Sequence, residues 1–370
     1  MNKALLPTGL HDLLFPKAGA QINIVAKISK HVEGYGYQKV SPPAIEYEDS
    51  LFAGAGRFLK KNTFRFMDPQ SDKMMGVRSD MTVQIARIAA TRLVNTPKPL
   101  RLSYAGDVFR VKGDGLHAER QFTQTGIELI GVDNAYADAE VVIVALGALK
   151  AAGVKRLCID FNLPDLAGIV LKELGFKKED RKPLFSAIKR KDETAINNLA
   201  GDGAELILKL INYNIMSEDI SNIAVPDSAK VLFYRLIEVI NIVKDKLPDV
   251  QISIDPLGAG RFSYHSGIGF SIFAKGAKAE LGRGGRYKID EDSGGIGATL
   301  YVNELFRLLP RPVPKEKVLI PFDTGAAKIE SLQKEGYVIV HSLEHGEDMK
   351  KTAQYLGCSC YLDGKQLKTV

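Results

Sequence analysis

The spacing of apolar positions along the chain changes several times, and each change marks an element. Over residues 21–32, Ile22, Val25, Ile28 and Val32 recur at helical spacing, and Gly34 is the expected stop. The following "GYGYQKVSPPAIEY" reads as extended chain broken by Pro42 and Pro43, which places it at an edge or interface where a missing N–H does no harm. "TFRFMDPQSDKMMGVR" alternates around a turn-forming Asp-Pro-Gln-Ser-Asp and predicts a hairpin. "SDMTVQIARIAATRL" predicts a helix with Ser79 or Asp80 as its N-cap. "LRLSYAGDVFRV" and "RQFTQTGIELIG" predict two strands joined by the polar loop "KGDGLHAE", with a further helix over about residues 137–152.

The pattern then shifts. From about residue 164 to 248 mixed charge runs such as "KKEDRKPLFSAIKRKDE" ride on helical periodicity, as in an inserted helical subdomain with solvated faces. Strand signals return in "RFSYHSGIGFSIF" and "AKAELGRGGRY"; "SGGIGAT" reads as a glycine turn, and "ATLYVNELFRLL" as the last helix before a proline-rich linker, "PRPVPKEK". Beyond it, strands and helices alternate in a miniature α/β unit. The expected organisation is a core from residues 1–163 and 249–312, a helical insertion over 164–248, and a small C-terminal α/β domain over 316–370.

Composition narrows the class. With 370 residues, 45% hydrophobic and 25% charged, the chain is an ordinary globular one. The formal charge of +6 is spread along its length without the dense basic stripe of a nucleic-acid binder. Three cysteines make no disulfide framework, and Cys358-x-Cys360 lacks the second cluster of a zinc site, so no metal is expected. No signal peptide and no apolar run of about 18 residues is present, which points to the cytoplasm.

Strand alternation puts Gln124, Gly126 and Glu128 on one face of "RQFTQTGIELIG". The glycine removes a side chain between an amide and a carboxylate, leaving room for a small ligand with donors; an internal Arg or Lys beside Glu128 is the competing reading. In "RFSYHSGIGF" one face carries His265, Gly267 and Gly269, a second cleared strand. Asp80 fits a helix cap or a ligand contact, and Arg110 a salt bridge or an anion contact.

In this order the pieces resemble the class II aminoacyl-tRNA synthetase core in its histidyl branch. "GYQKVSPP" is similar to that class's dimer-forming first motif, "YAGDVFRV" with "RQFTQTGIELIG" to its second, and "SYHSGIGF" with "ELGRGGRY" to its histidine-specific segment. The resemblance implies an α+β fold, an antiparallel sheet core flanked by helices, and a histidine pocket of Asp80, Gln124, Glu128, Tyr264 and His265, with His265 standing where the family carries a tyrosine. It also implies losses. Arg110 is retained, but the acidic position two residues on is Lys112, the phosphate-binding loop arginine falls on Ala118, the third-motif arginine on Glu304, and a further arginine on Gly260 beside Arg261.

"VRSDMT", "SYHSGIGFSIF" and "ELGRGGRY…GATLY" resemble instead the family of synthetase paralogues that serve as regulatory subunits of ATP phosphoribosyltransferase. That resemblance implies a non-catalytic homodimer within a hetero-oligomer, without cofactor or tRNA. It would activate the short-form catalytic subunit and carry feedback inhibition by L-histidine in the first step of histidine biosynthesis. The alternative is a divergent histidyl-tRNA synthetase.

Overall fold

A computed structural model describes residues 5–113, 119–213, 223–258, 265–290, 293–310 and 313–370, except 345, 347 and 365. The chain divides into two compact units, Met1–Pro310 and Arg311–Val370.

The first unit begins with α1 (Lys17–Glu33), β1 (Gln38–Lys39), β2 (Ile45–Tyr47) and α2 (Glu48–Leu51). The hairpin β3 (Arg65–Met67) and β4 (Met74–Val77), helix α3 (Thr82–Thr91), β5 (Leu100–Phe109), β6 (Gln121–Ile130) and α4 (Ala135–Ala152) follow. Next come β7 (Leu157–Asn162), the helices α5 (Leu166–Glu173), α6 (Arg181–Arg190), α7 (Glu193–Ala200), α8 (Ala204–Ile211) and α9 (Asp227–Lys246), and β8 (Gln251–Ile254). β9 (His265–Ala274), β10 (Gly282–Lys288), β11 (Gly294–Tyr301) and α10 (Val302–Leu308) complete it.

Eight strands form one sheet in the order β1-β5-β6-β11-β10-β9-β7-β8, antiparallel except at its two edges, where β1 runs parallel to β5 and β8 to β7. β2, β4 and β3 make a small antiparallel sheet of their own. One face of the large sheet is apolar: Ile127, Leu129, Ile296, Ala298, Phe270, Ile272, Ile159 and Phe161 pack in one core with α4, α1 and α9. α4 is mostly apolar, with Val141, Val142, Val144, Ala145, Leu146, Ala148 and Leu149 fully enclosed. Its ends are fixed locally, by the Asn134 side chain accepting from the Ala137 N–H and by Gly153 at φ 110°. The other sheet face carries the polar residues discussed below.

The helix expected over residues 21–32 is α1, ending at Gly34, and its buried stripe is Ile24, Ile28 and Val32, with Ile22 69% exposed. Two expectations need correction. "SGGIGAT" is no turn, and "ATLY" is no helix: both lie in β11, a central strand. Its glycines are there because neighbours crowd them, since a Cβ at Gly295 would stand 3.1 Å from the Leu129 carbonyl and one at Gly297 would overlap the Glu128 carboxylate. The residue flanking α3 is Met81, not Ser79 or Asp80, although Asp80 still accepts from the first-turn Thr82 N–H.

The second unit is a four-stranded sheet, β13-β12-β14-β15, built from β12 (Lys317–Pro321), α11 (Ala326–Lys334), β13 (Val338–Ser342), α12 (Met349–Tyr355), β14 (Cys360–Asp363) and β15 (Gln366–Thr369). Successive residues of β12 face opposite sides, so Val318 and Ile320 pack with Leu332 of α11 and Leu319 with Ala353 of α12.

Candidate functional site

Antiparallel register places Gly106, Tyr104 and Leu102 of β5 opposite Gln124, Gly126 and Glu128 of β6, and Tyr301, Thr299 and Gly297 of β11 opposite the same three. Directly paired residues share a face, so the polar groups of three strands gather on one surface, closed at the β5 end by α3. Asp80, Gln124 and Glu128 are 2%, 0% and 1% exposed.

The amide of Gln124 is fully used. Its Nε2 donates to Asp80 Oδ2 (3.2 Å) and Thr299 Oγ1 (3.1 Å), while its Oε1 accepts from the Met81 N–H (3.1 Å). Asp80 Oδ1 accepts from the Thr82 N–H at 2.8 Å. Asp80 and Gln124 are thereby fixed relative to each other at the head of α3.

Glu128 is held by hydroxyls, not by an internal Arg or Lys: Tyr287 donates to Oε2 at 2.8 Å and Tyr104 to Oε1 at 3.3 Å. Removal from water pushes its carboxyl up to about 8, the Tyr287 hydrogen bond pulls it down, and the nearby Asp80 charge adds to the rise. The Tyr104 hydroxyl also lies 2.9 Å from Thr299 Oγ1 and 3.3 Å from Thr82 Oγ1. Burial, followed by the charge of Glu128, raises it well above the ordinary tyrosine value, so it stays neutral. The room expected at Gly126 is filled from within. A Cβ there would overlap the Tyr104 hydroxyl and the Ala298 carbonyl, so the glycine admits Tyr104. Tyr104, Tyr287, Thr82 and Thr299 are site residues that no motif of the sequence singles out. Alternation marks the faces of Tyr104 and Tyr287, but without the register neither points to Glu128.

The cleared face expected of His265, Gly267 and Gly269 is interrupted. The β9–β10 register shifts between Gly285 and Arg286, and Gly267 sits in this bulge at φ 63°, its N–H donating to Asp165 Oδ2 at 2.9 Å. His265 begins β9, with its side chain outside the description; Tyr264, Gly260, Arg261 and Ala118 lie outside the described residues.

Arg110 lies beside the network, its guanidinium 4.7 Å from the centre of the Phe122 ring and its Nε 3.4 Å from the Ser79 carbonyl. Among the described residues it makes no ion pair. It lines a small pocket with Glu119, Phe122, Glu280, Arg283, Tyr301, Asn303 and Glu304. Arg283 pairs with Glu280, and Glu304, 4% exposed, pairs with Arg307, which also reaches Glu119 at 2.8 Å. Three carboxylates thus share this pocket. Lys112 is exposed, with its backbone N–H on Asn62 Oδ1 at 2.9 Å.

Residues 9–305 match the histidyl-tRNA synthetase family model. The ATP phosphoribosyltransferase regulatory subunit of Rhodospirillum centenum is 40% identical over 100% of this chain and 97% of its own length. That of Paramagnetospirillum magneticum is 41% identical over 96% of this chain and 95% of its own. Among solved structures, an ATP phosphoribosyltransferase regulatory subunit/histidyl-tRNA synthetase from Bacillus halodurans superposes with a TM-score of 0.80 at 21% identity, covering 97% of both chains. Histidyl-tRNA synthetase from a Nostoc species superposes at 0.78 and 18% identity, covering 98% of this chain and 92% of its own. The fold is therefore that of the histidyl class II synthetases.

Proposed function

We propose an amino-acid-sensing role for this chain, which belongs to the family of ATP phosphoribosyltransferase regulatory subunits within the histidyl-tRNA synthetase family. It is a non-catalytic subunit that activates the short-form catalytic subunit and confers feedback inhibition by L-histidine. One observation carries the reading: Asp80, Gln124 and Glu128 converge in one buried polar network, while the neighbouring pocket sets Glu119, Glu280 and Glu304 beside Arg110 and Arg283, with Arg283 paired to Glu280 and Glu304 paired to Arg307. Acceptors suit a ligand with an ammonium group and a ring N–H. Carboxylates do not suit a triphosphate, because replacing a cation with an anion turns roughly 4 kcal/mol of attraction at 4 Å and an effective dielectric of 20 into similar repulsion.

Asp80 takes the ammonium group, Glu128 the imidazole, Gln124 orients Asp80, and Arg110 is the cation for the carboxylate. Tyr264 and His265 complete the ring contact. For histidine to regulate, its affinity must differ between two states of the complex, by a coupling of about 1–3 kcal/mol. The chain works as a homodimer within the hetero-oligomer, and the exposure of Leu13, Leu14, Phe15 and Ile22 along its N-terminal segment supports such an apolar interface. No described helix is long and apolar enough to cross a membrane; the assembly is cytoplasmic, without tRNA.

The test is titration calorimetry of the full chain with L-histidine, alone and with the catalytic subunit, beside an ATP–pyrophosphate exchange assay. Histidine heat that weakens by about 1–3 kcal/mol in Glu128→Ala, without exchange, is the expected result. Histidine-dependent exchange would make the chain a divergent histidyl-tRNA synthetase. Unchanged affinity in a folded Glu128→Ala variant would move the effector site elsewhere.

A further inference from the structure

Across the polar face of the sheet one row of paired residues has an unusual composition. It runs from Glu128 on β6 through Gly297 on β11, Gly285 on β10 and Gly269 on β9 to Asn162, the last residue of β7. Three adjacent strands thus present no side chain in this row, and a polar residue stands at each end. Both end residues lean inward. A Cβ at Gly297 would overlap the Glu128 carboxylate, and a Cβ at Gly269 would overlap Asn162 Oδ1.

The two ends differ in how they are satisfied. Glu128 accepts from two tyrosine hydroxyls. Asn162 Oδ1 is buried and accepts no hydrogen bond among the described residues. A buried acceptor without a donor is destabilising, and such groups are few enough in native structures that each calls for a reason. Two residues before Gly269 on β9 lies the Gly267 bulge with its hydrogen bond to Asp165, and bulges are over-represented beside binding sites.

We propose that Asn162 is a ligand-contacting, specificity-determining residue at the far end of this glycine row, its amide oxygen accepting a ring N–H of the amino-acid effector whose opposite ring nitrogen faces Glu128. This rests on the effector reading above and adds a second recognition point. The two acceptors lie over glycines two strand spacings apart, on the order of 10 Å, which accommodates a five-membered ring with a hydrogen bond of about 2.9 Å at each side. The proton count is consistent in either state of Glu128. An ionised Glu128 faces a ring N–H of imidazolium, whose other N–H reaches Asn162. A protonated Glu128 donates to the bare nitrogen of neutral imidazole, whose single N–H again reaches Asn162. In each case the ring N–H distant from Glu128 requires an acceptor, and Asn162 supplies it.

The experiment is calorimetry of the full chain, alone and with the catalytic subunit, with L-histidine and its two ring N-methyl derivatives. Asn162→Leu, similar in size and without an acceptor, should bind histidine about tenfold more weakly, 1.4 kcal/mol, with a melting temperature at or above the parent's. The methyl derivative that blocks the ring N–H facing Asn162 should bind the parent chain at least about tenfold more weakly than histidine and lose little more in Asn162→Leu, because both changes remove one hydrogen bond. Asn162→Ser, too short to reach the ring, carries the same expectation should the leucine variant fold poorly. Histidine binding equal in the parent chain and both variants would overturn the assignment of Asn162 and leave the effector reading standing. No histidine binding by the parent chain, alone or with the catalytic subunit, would overturn both.

Discussion

The hydroxyl of Tyr104 occupies the space that any side chain at residue 126 would need, and from there it reaches Glu128 Oε1 at 3.3 Å and Thr299 Oγ1 at 2.9 Å. A glycine and a tyrosine paired across two strands therefore set the position of a carboxylate one pleat away on the same face.

Gly126→Ala should be costly, because the added methyl meets the Ala298 backbone as well as Tyr104 and only the tyrosine could move. The expected loss is about 1–3 kcal/mol, the range for overpacking a close-packed site, measured by urea unfolding. A change within about 0.3 kcal/mol would mean that the sheet yields there more easily than its packing implies.

Gly297→Ala should act on binding more than on stability. Its methyl would take the place of the Glu128 carboxylate, which must then rotate away from Tyr287. Histidine affinity should fall by about tenfold or more, a loss of at least one buried charge-assisted hydrogen bond. Calorimetry that finds full affinity in the variant would separate Glu128 from the ligand.

The pH dependence of stability should carry the signature of Glu128. Its carboxyl lies at about 8 in the folded chain against an ordinary 4.5, so between those values the folded chain keeps a proton that the unfolded chain has released. Stability therefore falls as pH rises through this window and is insensitive to this group below it. Its buried neighbours are Asp80, Tyr104 and Tyr287, and Tyr104, raised well above the ordinary tyrosine value by burial, keeps its proton there. Urea unfolding from pH 5 to 9 should show the parent chain losing a few kcal/mol relative to Glu128→Gln. Parallel curves for the two proteins would place the carboxylate in contact with water.

Asp138, with 0% exposure, joins three elements: it lies 2.7 Å from Arg235 Nε of α9 and 2.7 Å from Arg286 Nε of β10, while itself standing on α4. Asp138→Ala leaves two guanidiniums against each other with only the exposed Asp133 between them. The expected cost is about 3–5 kcal/mol, as for breaking a buried ion pair, with Asp138→Asn milder because the amide oxygen still accepts. Chemical denaturation of both variants checks the order as well as the size.

Much of the architecture was legible in the chain. Alternation alone put Gln124, Gly126 and Glu128 on one face, the "DPQSD" turn gave the β3–β4 hairpin, and the 3.6-residue period gave α3 and α4 within about two residues. Glycine was misread twice. At Gly126 a missing side chain suggested room for a ligand, yet Tyr104 fills it, and in "SGGIGAT" a glycine cluster suggested a turn, yet it lies in the central strand β11. Glycine marks close approach, and a sequence does not say of what.

The sequence by itself determined which residues share a face, because side-chain direction follows from backbone period and needs no knowledge of neighbours. The family resemblance likewise rests on residue identity alone: Ala118 and Glu304 stand where it expects cations for phosphate. Only the tertiary structure decided who meets whom. Thr299 is 195 residues from Tyr104 and Tyr287 is 159 from Glu128, yet strand register fixes both pairs within hydrogen-bonding distance. The sheet assembles Asn162, the glycine row and Glu128 across five strands in the same way. Register is set by hydrogen bonds between strands distant in sequence, and a one-residue slip in any of them would turn these side chains to the opposite face.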